Sequence, residues 1–265
     1  MSRTQCKFAA NLTMMFKELP FLERFSAAAK AGFKAVEFLS PYEYSKEELL
    51  KQLQQNNLQL VLFNSAMGDI SKGEWGLNAI PGREKDAREN IHTALDYAIA
   101  LKCPTIHLMA AVVPPDADYA LYQQTFIDNV RYAAELYQKH NISIVLEALS
   151  PIVKPNYLFS SQFQSAELVK LINRPNVFIQ FDVFHAQNVD GNITRLFEQM
   201  KDKIKHIQIA SVPDRHEPDE GEIDYAYIFN LFEQNNYSDW IGCEYNPRAN
   251  TQDGLLWLKN IVPRT

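Results

Sequence analysis

Residues 177–185, VFIQFDVFH, decide how this chain folds. The run is β-branched or aromatic almost throughout, and Asp182 stands near its C-terminal end. Successive apolar side chains of this kind suit a strand covered on both faces, the habit of a parallel sheet under helices. A carboxylate so close to such a run is costly to bury unless something pairs with it. Working outward, the pattern repeats. SIVLEAL at 143–149 carries Glu147, IKHIQIA at 204–210 carries Gln208, and WIGCEYN at 240–246 carries Glu244. One such residue is an accident of packing. Four in succession, all bearing oxygen, point to a shared ligand, and the economical ligand is a divalent cation.

Four further strand-like runs precede these, at 6–11, 35–40, 59–65 and 105–111. Segments of helical period separate them. Ala87, Ile91, Ala94, Leu95, Ala98 and Leu101 share one helical face, and Tyr119, Tyr122, Phe126, Val130, Ala133 and Tyr137 share another. Ser45 with Glu48 makes a capping box, Asp224 precedes YAYIFNLF, and Thr251 precedes the last apolar helix. Eight strand–helix units predict an α/β chain, a (β/α)8 TIM barrel, with an open doubly wound sheet as the competitor. After the first strand FAANLTMM stands where a dinucleotide-binding sheet would have a glycine-rich loop. No linker divides residues 1–265, so a single barrel domain is expected.

A length of 265 residues suits one such barrel, which needs about 250. A net charge of −6 gives no electrostatic footprint for nucleic acid, so an anionic substrate must be met by local cations. No apolar run approaches a membrane span, and MSRTQCKFAA lacks a leader pattern. Cys6, Cys103 and Cys243 are scattered and odd in number, which fits free, buried thiols in a reducing, cytoplasmic setting. The chain is expected to act on a small molecule, without membrane or nucleic-acid partners, and a homo-oligomer is open to it.

The longest irregular segments, 65–84, 150–161 and 211–223, all leave C-terminal strand ends, where barrel enzymes build their sites. Three carboxylates and one amide, without a thiolate, favour Mg2+ or Mn2+ over Zn2+. Singly, a glutamate at a strand end ordinarily closes a salt bridge, and a glutamine is ordinarily a satisfied amide. Jointly, acceptor-rich groups cannot satisfy one another. Glu147 and Glu244 lie three strands apart on an eight-strand ring and so face each other across its mouth. A substrate chelated between them would offer adjacent carbons to two carboxylates, which suits isomerisation through an enediolate.

Around this pair, His185 is expected to meet a substrate oxygen or hold a ligand carboxylate, unless it is a satisfied strand-end histidine. Arg215 is the natural fork for a substrate carboxylate and is favoured over His216, against the plain reading of a solvated loop. Lys154 is a weaker second cation. Glu74 and Trp75 are expected to cover the site, although aromatic residues also anchor loops. His107 and His206 read equally as core histidines and as substrate contacts. Glu37 reads as a buried structural carboxylate.

The segments FAANLTMMF, GFKAVEFL, NSAMGDISKGEWGLNAIPGRE, VLEALSP, YLFSSQ, QFDVFHAQNVDGN, HIQIASVPDRHEPDEGEIDY and WIGCEYNPR together resemble the hydroxypyruvate isomerase family of xylose-isomerase-like barrels. The likeness runs from about residue 7 to 258 and is nearest to the 2-oxo-tetronate isomerase branch, which converts 2-oxo-tetronate to 3-oxo-tetronate. It implies proton donor and acceptor roles for Glu147 and Glu244. It also implies metal ligation by Glu147, Asp182, Gln208 and Glu244, with Mg2+ the expected ion. Relatives in the wider superfamily carry His where Gln208 stands, so an amide oxygen makes this shell harder. The rival activities are hydroxypyruvate isomerisation to tartronate semialdehyde, ketose 3-epimerisation, phosphodiester cleavage in damaged DNA, and sugar-acid binding without catalysis.

Overall fold

Eight parallel strands close on themselves in chain order. They are β1 (Lys7–Asn11), β2 (Ala35–Phe38), β3 (Gln59–Asn64), β4 (Thr105–His107), β5 (Ser143–Glu147), β6 (Val177–Asp182), β7 (Ile204–Ile209) and β8 (Trp240–Cys243). The computed structural model describes residues 5–262; residues 1–4 and 263–265, with the part of the leader reading and the domain bounds that falls there, lie outside it. Closure is sealed by β1 against β8, with Phe8 opposite Ile241 and Ala9 opposite Gly242. The open doubly wound sheet is thereby excluded.

The strands end sooner than their apolar runs. The run 105–111 keeps strand pairing only over Thr105–His107, yet residues 108–111 stay buried because they turn inward beneath the loops. The run 177–185 stops at Asp182, whose carboxylate accepts the Phe184 amide at 2.7 Å and so caps helix α6 (Val183–Val189). Period alone cannot separate a buried strand from a buried helical turn of the same composition.

Around the ring lie α1 (Phe21–Lys30), α2 (Lys46–Gln55), α3 (Glu84–Leu101), α4 (Tyr119–Gln138), α5 (Gln162–Ile172), α6, α7 (Ile193–Met200) and α8 (Tyr225–Gln234). All six residues predicted for the inner face of α3 are buried. On α4, Phe126, Val130, Ala133 and Tyr137 are buried. Tyr119 instead stands at the exposed first turn and donates its hydroxyl to the Leu158 carbonyl at 2.8 Å. Ser45 and Glu48 form the capping box of α2, and Asp224 caps α8.

Thr251 is not the cap of the last helical segment. Asn250 takes that place, and Thr251 is buried with its hydroxyl accepting the Phe16 amide. Two short helices follow, α9 (Thr251–Gly254) and α10 (Trp257–Asn260). They seat a fully buried Trp257 against Phe8 and Phe229, with its indole N–H donating to the Tyr245 hydroxyl at 3.1 Å. The three cysteines are free and buried, filling space as small apolar side chains do. Among the described residues no helix is long and apolar enough to cross a membrane.

Inside the ring the layers change character from bottom to top. Ala9, Ala35 and Val61 form a small apolar layer. Above it stand polar side chains at matched heights: Asn11 opposite Glu37, Glu147 opposite Gln180, Asp182 opposite Gln208. The strand pleat repeats every two residues, so Gln180 and Asp182, or His206 and Gln208, share the inner face.

Candidate active site

Glu147, Asp182, Gln208 and Glu244 are each at most 5% exposed and come from the C-terminal ends of four consecutive strands. Glu147 and Glu244 both line a cavity of ≈ 190 Å³ at the barrel mouth, together with His185 and Arg215. The rest of its wall is largely apolar, from Met14, Leu39, Met67, Trp75, Met109 and Val153, with Asn64 the remaining polar member. A wider hollow of ≈ 580 Å³ over α1 and α2 is lined by Glu18, Glu23, Lys30 and Gln52 and lies away from these carboxylates.

Burial dominates the electrostatics. Glu147 is held well above the usual carboxylate range by burial first, then by Glu244 and Asp182 nearby. Glu244 is pushed up to about 8, again by burial, with Arg215 opposing and Asp182 and Glu37 adding. Arg215 accounts for the difference in environment. Its Nη2 lies 2.6 Å from Glu244 Oε2 and 3.6 Å from Asp182 Oδ2, and its guanidinium stacks over Phe184 at 5.0 Å. A left-handed backbone, φ 57°, turns this side chain inward, an uncommon conformation for a residue with a Cβ. The predicted fork for substrate is thus already bonded to a carboxylate of the site, although it also faces the cavity.

His185 bridges the first two carboxylates. Its Nδ1 accepts the Ser150 amide at 3.1 Å, so the neutral ring carries its proton on Nε2. That nitrogen lies 3.6 Å from Asp182 Oδ2 and 3.8 Å from Glu147 Oε1. Burial lowers the ring to about 4, which keeps it neutral and makes it a hydrogen-bond donor into the cavity.

Two expected substrate contacts lie elsewhere. Glu74 is turned into its own loop, where it pairs with Arg83 at 2.7 Å and accepts the Asp69 amide at 2.6 Å. A partner nine residues along the same loop outcompetes the cavity for it. His107 is fully buried below Glu147, with Nδ1 3.4 Å from Glu147 Oε2, and is absent from the cavity wall. Burial lowers it to about 3, which keeps the ring neutral, and neither of its nitrogens has a hydrogen-bond partner among the described residues. Trp75 does line the cavity, and Lys154 sits over its ring at 4.2 Å. His206 meets Glu37 at 2.6 Å, and His216 meets the Asn246 carbonyl at 2.7 Å outside the cavity.

Asn11, Asn64 and Gln180 belong to the site region and were not singled out from the sequence. Asn11 and Asn64 are polar residues closing β1 and β3. The rule that found Glu147 on β5 would have found both.

The donor set suits a hard divalent cation. Asp182 Oδ2 is buried without a hydrogen bond, Glu147 accepts none among the described residues, and Glu147, Asp182 and His185 each offer an atom within 4.8 Å of the others. Carboxylates left without donors are what a cation satisfies. The Nε2 proton makes His185 the poorest ligand of that trio. The Gln208 oxygen accepts from Gln180 at 2.5 Å and keeps a second lone pair.

The xylose isomerase-like TIM barrel family matches residues 25–261. The 2-oxo-tetronate isomerase of Haemophilus influenzae is 59% identical over 96% of this chain and 98% of its own. The hydroxypyruvate isomerase of Escherichia coli K12 is 38% identical over 95% and 98%. A crystal structure from Brucella melitensis, described as an AP endonuclease of family 2, is 48% identical and superposes with a TM-score of 0.95 over 97% of this chain and all of that one. The closed barrel and these identities make the chain a member of the xylose isomerase-like TIM barrel family, in its hydroxypyruvate isomerase group, and an enzyme of the isomerase class.

Proposed function

We propose that this isomerase converts 2-oxo-tetronate to 3-oxo-tetronate, with Glu147 and Glu244 moving the proton between adjacent carbons. The observation that carries the reading is the pair of buried carboxylates, each held above its usual range, on the wall of one small and largely apolar cavity. One glutamate takes the proton from C3, and the C–H electron pair forms a C2–C3 double bond as the C2–O π pair moves onto the C2 oxygen. The other glutamate delivers a proton to C2, which takes up the C2–C3 π pair, while the C3 hydroxyl gives its proton to the C2 oxygen and the pair left behind forms the C3 carbonyl. Atoms and charge balance without an outside reagent. Buried acids raised above the usual carboxylate range are suited to both halves of this exchange.

His185 Nε2–H can donate to a substrate oxygen as charge gathers there. Arg215 holds Glu244 in place and moderates its proton affinity. Lys154, seated on Trp75 at the rim, adds positive charge for the substrate carboxylate. Met14, Met67, Met109 and Trp75 keep water from the reacting carbons. Glu147, Asp182, Gln208 and Glu244 would hold a Mg2+ ion, or Mn2+ in its place. When bound, that ion polarises the substrate carbonyl and offsets the charge of the enediolate.

Relatives described as 2-oxo-tetronate isomerases at 59% and 44% identity support the four-carbon acid over hydroxypyruvate, for which relatives described as "Hydroxypyruvate isomerase" and "Putative hydroxypyruvate isomerase" are 38% and 42% identical. A small cavity of ≈ 190 Å³ and a net charge of −6 suit a small molecule and not a DNA strand. Proton exchange in deuterated water, followed by NMR, tests the reading. Deuterium should enter C2 of the product or C3 of the recovered substrate, and side-by-side turnover should favour 2-oxo-tetronate. A clear preference for hydroxypyruvate would overturn the substrate; absence of exchange with either acid would overturn the chemistry.

A further inference from the structure

We propose that Glu37 is a positioning residue: it fixes which end of the Gln208 amide faces the carboxylate cluster, and so governs how tightly that cluster holds a divalent cation. The inference rests on the metal reading above. An amide presents oxygen or NH2 in nearly the same shape but with opposite polarity, and only the oxygen can join a cation. Glu37 Oε1 accepts from Gln208 Nε2 at 2.8 Å, which turns the nitrogen toward Glu37. Gln180 Nε2 donates to Gln208 Oε1 at 2.5 Å, but Gln180 is itself an amide whose Oε1 has no hydrogen-bond partner, so the choice of end falls to Glu37.

Glu37 is itself over-determined. Its Oε1 also accepts from Asn11 Nδ2 at 2.9 Å, its Oε2 meets His206 Nε2 at 2.6 Å, and the residue is 1% exposed. Asn11 Nδ2 in turn lies 3.4 Å from Glu244 Oε1. One carboxylate therefore reaches two members of the cluster through a single hydrogen bond or a single intermediary. Space for it exists because β8 carries Gly242 at that height, where a Cβ would fall 2.3 Å from both Glu37 oxygens. A tie between β2 and β7 could be made by apolar side chains at less cost than a buried carboxylate, so orienting an amide is the better account of its presence.

Direct titration with Mn2+, read by electron paramagnetic resonance and without substrate, tests the proposal on wild type, Glu37→Gln and the exchanged pair Glu37→Gln/Gln208→Glu. A glutamine at 37 can donate as well as accept, so it frees the Gln208 amide to turn; Mn2+ affinity should fall about 10–100-fold. The exchanged pair keeps the net charge and the hydrogen bond with its polarity reversed. It also places two equivalent oxygens at 208, so affinity should return to the wild-type range. A merely structural Glu37 would lower the melting temperature of Glu37→Gln and leave its Mn2+ affinity alone, which overturns the proposal while the metal reading stands. If Glu37→Gln does not fold, the exchanged pair decides alone: wild-type affinity supports the proposal and loss of affinity overturns it. Wild type that binds no Mn2+ removes the metal reading and this proposal together.

Discussion

Glu147 and Glu244 differ in their donors, and that difference is testable. Arg215 and Asn11 reach Glu244, while Glu147 has ring nitrogens of the neutral His107 and His185 at 3.4 and 3.8 Å. Replacing either glutamate by glutamine should cut turnover about 10²–10⁴-fold with substrate affinity largely kept, measured by single-turnover and equilibrium binding experiments. A sugar-acid binding protein would be indifferent to both changes. Lys154→Met removes a cation that has no carboxylate partner among the described residues. It should raise KM for the acid about tenfold with kcat nearly unchanged, and leave a neutral ketose unaffected. The acids and the amide of this site could be read from the sequence because each interrupts an apolar run where burial needs a reason. Glu74 could not be placed, since its partner Arg83 sits in the same charged loop and nothing in the spacing distinguishes salt bridge from lid. Asn64 ends an apolar run as Glu147 does, but an asparagine before Ser-Ala-Met-Gly reads equally as the start of a turn.

Among the elements, the strands reveal both the strength and the limit of reading period. All eight were legible as short strand-like runs between helical segments, and they predicted a barrel with an open doubly wound sheet as competitor, which the pairing of β1 with β8 excludes. Their C-terminal ends were not legible, because residues such as Leu108, Met109 and Val183 are buried by loops and helix instead of by a ladder. Gly242 marks a further element-level constraint. Its place on β8 faces Glu37 across the inside of the ring. Gly242→Ala should destabilise the protein by about 1–3 kcal/mol in denaturant unfolding, as a methyl group forced against a fixed carboxylate does. Little change would mean that Glu37 gives way easily.

For the molecule as a whole, the acids of the mouth set a pH dependence. Glu244 ionises near 4.5 when unfolded and near 8 when folded without metal. Below the lower value both states hold the proton. Between the two the unfolded chain has lost it and the folded chain has not, so stability falls as pH rises through that window. Glu147, held high by burial, acts in the same direction. Metal-free protein should therefore melt at a lower temperature at pH 8 than at pH 5. Glu244→Gln should flatten that slope, and added Mg2+ or Mn2+ should oppose it by favouring the ionised carboxylates. Calorimetric scans across pH measure all three.

The join between first and last strands carries a consequence for biosynthesis. Lys7–Asn11 finds one of its two neighbours only in Trp240–Cys243, and Phe8 is roofed by Trp257 further along still. A nascent polypeptide leaving the ribosome thus holds an unzipped ladder edge and an uncovered aromatic ring until β8 and Trp257 have been made. The ring can close only once Trp240–Cys243 has emerged, and Trp257 on α10 then covers Phe8.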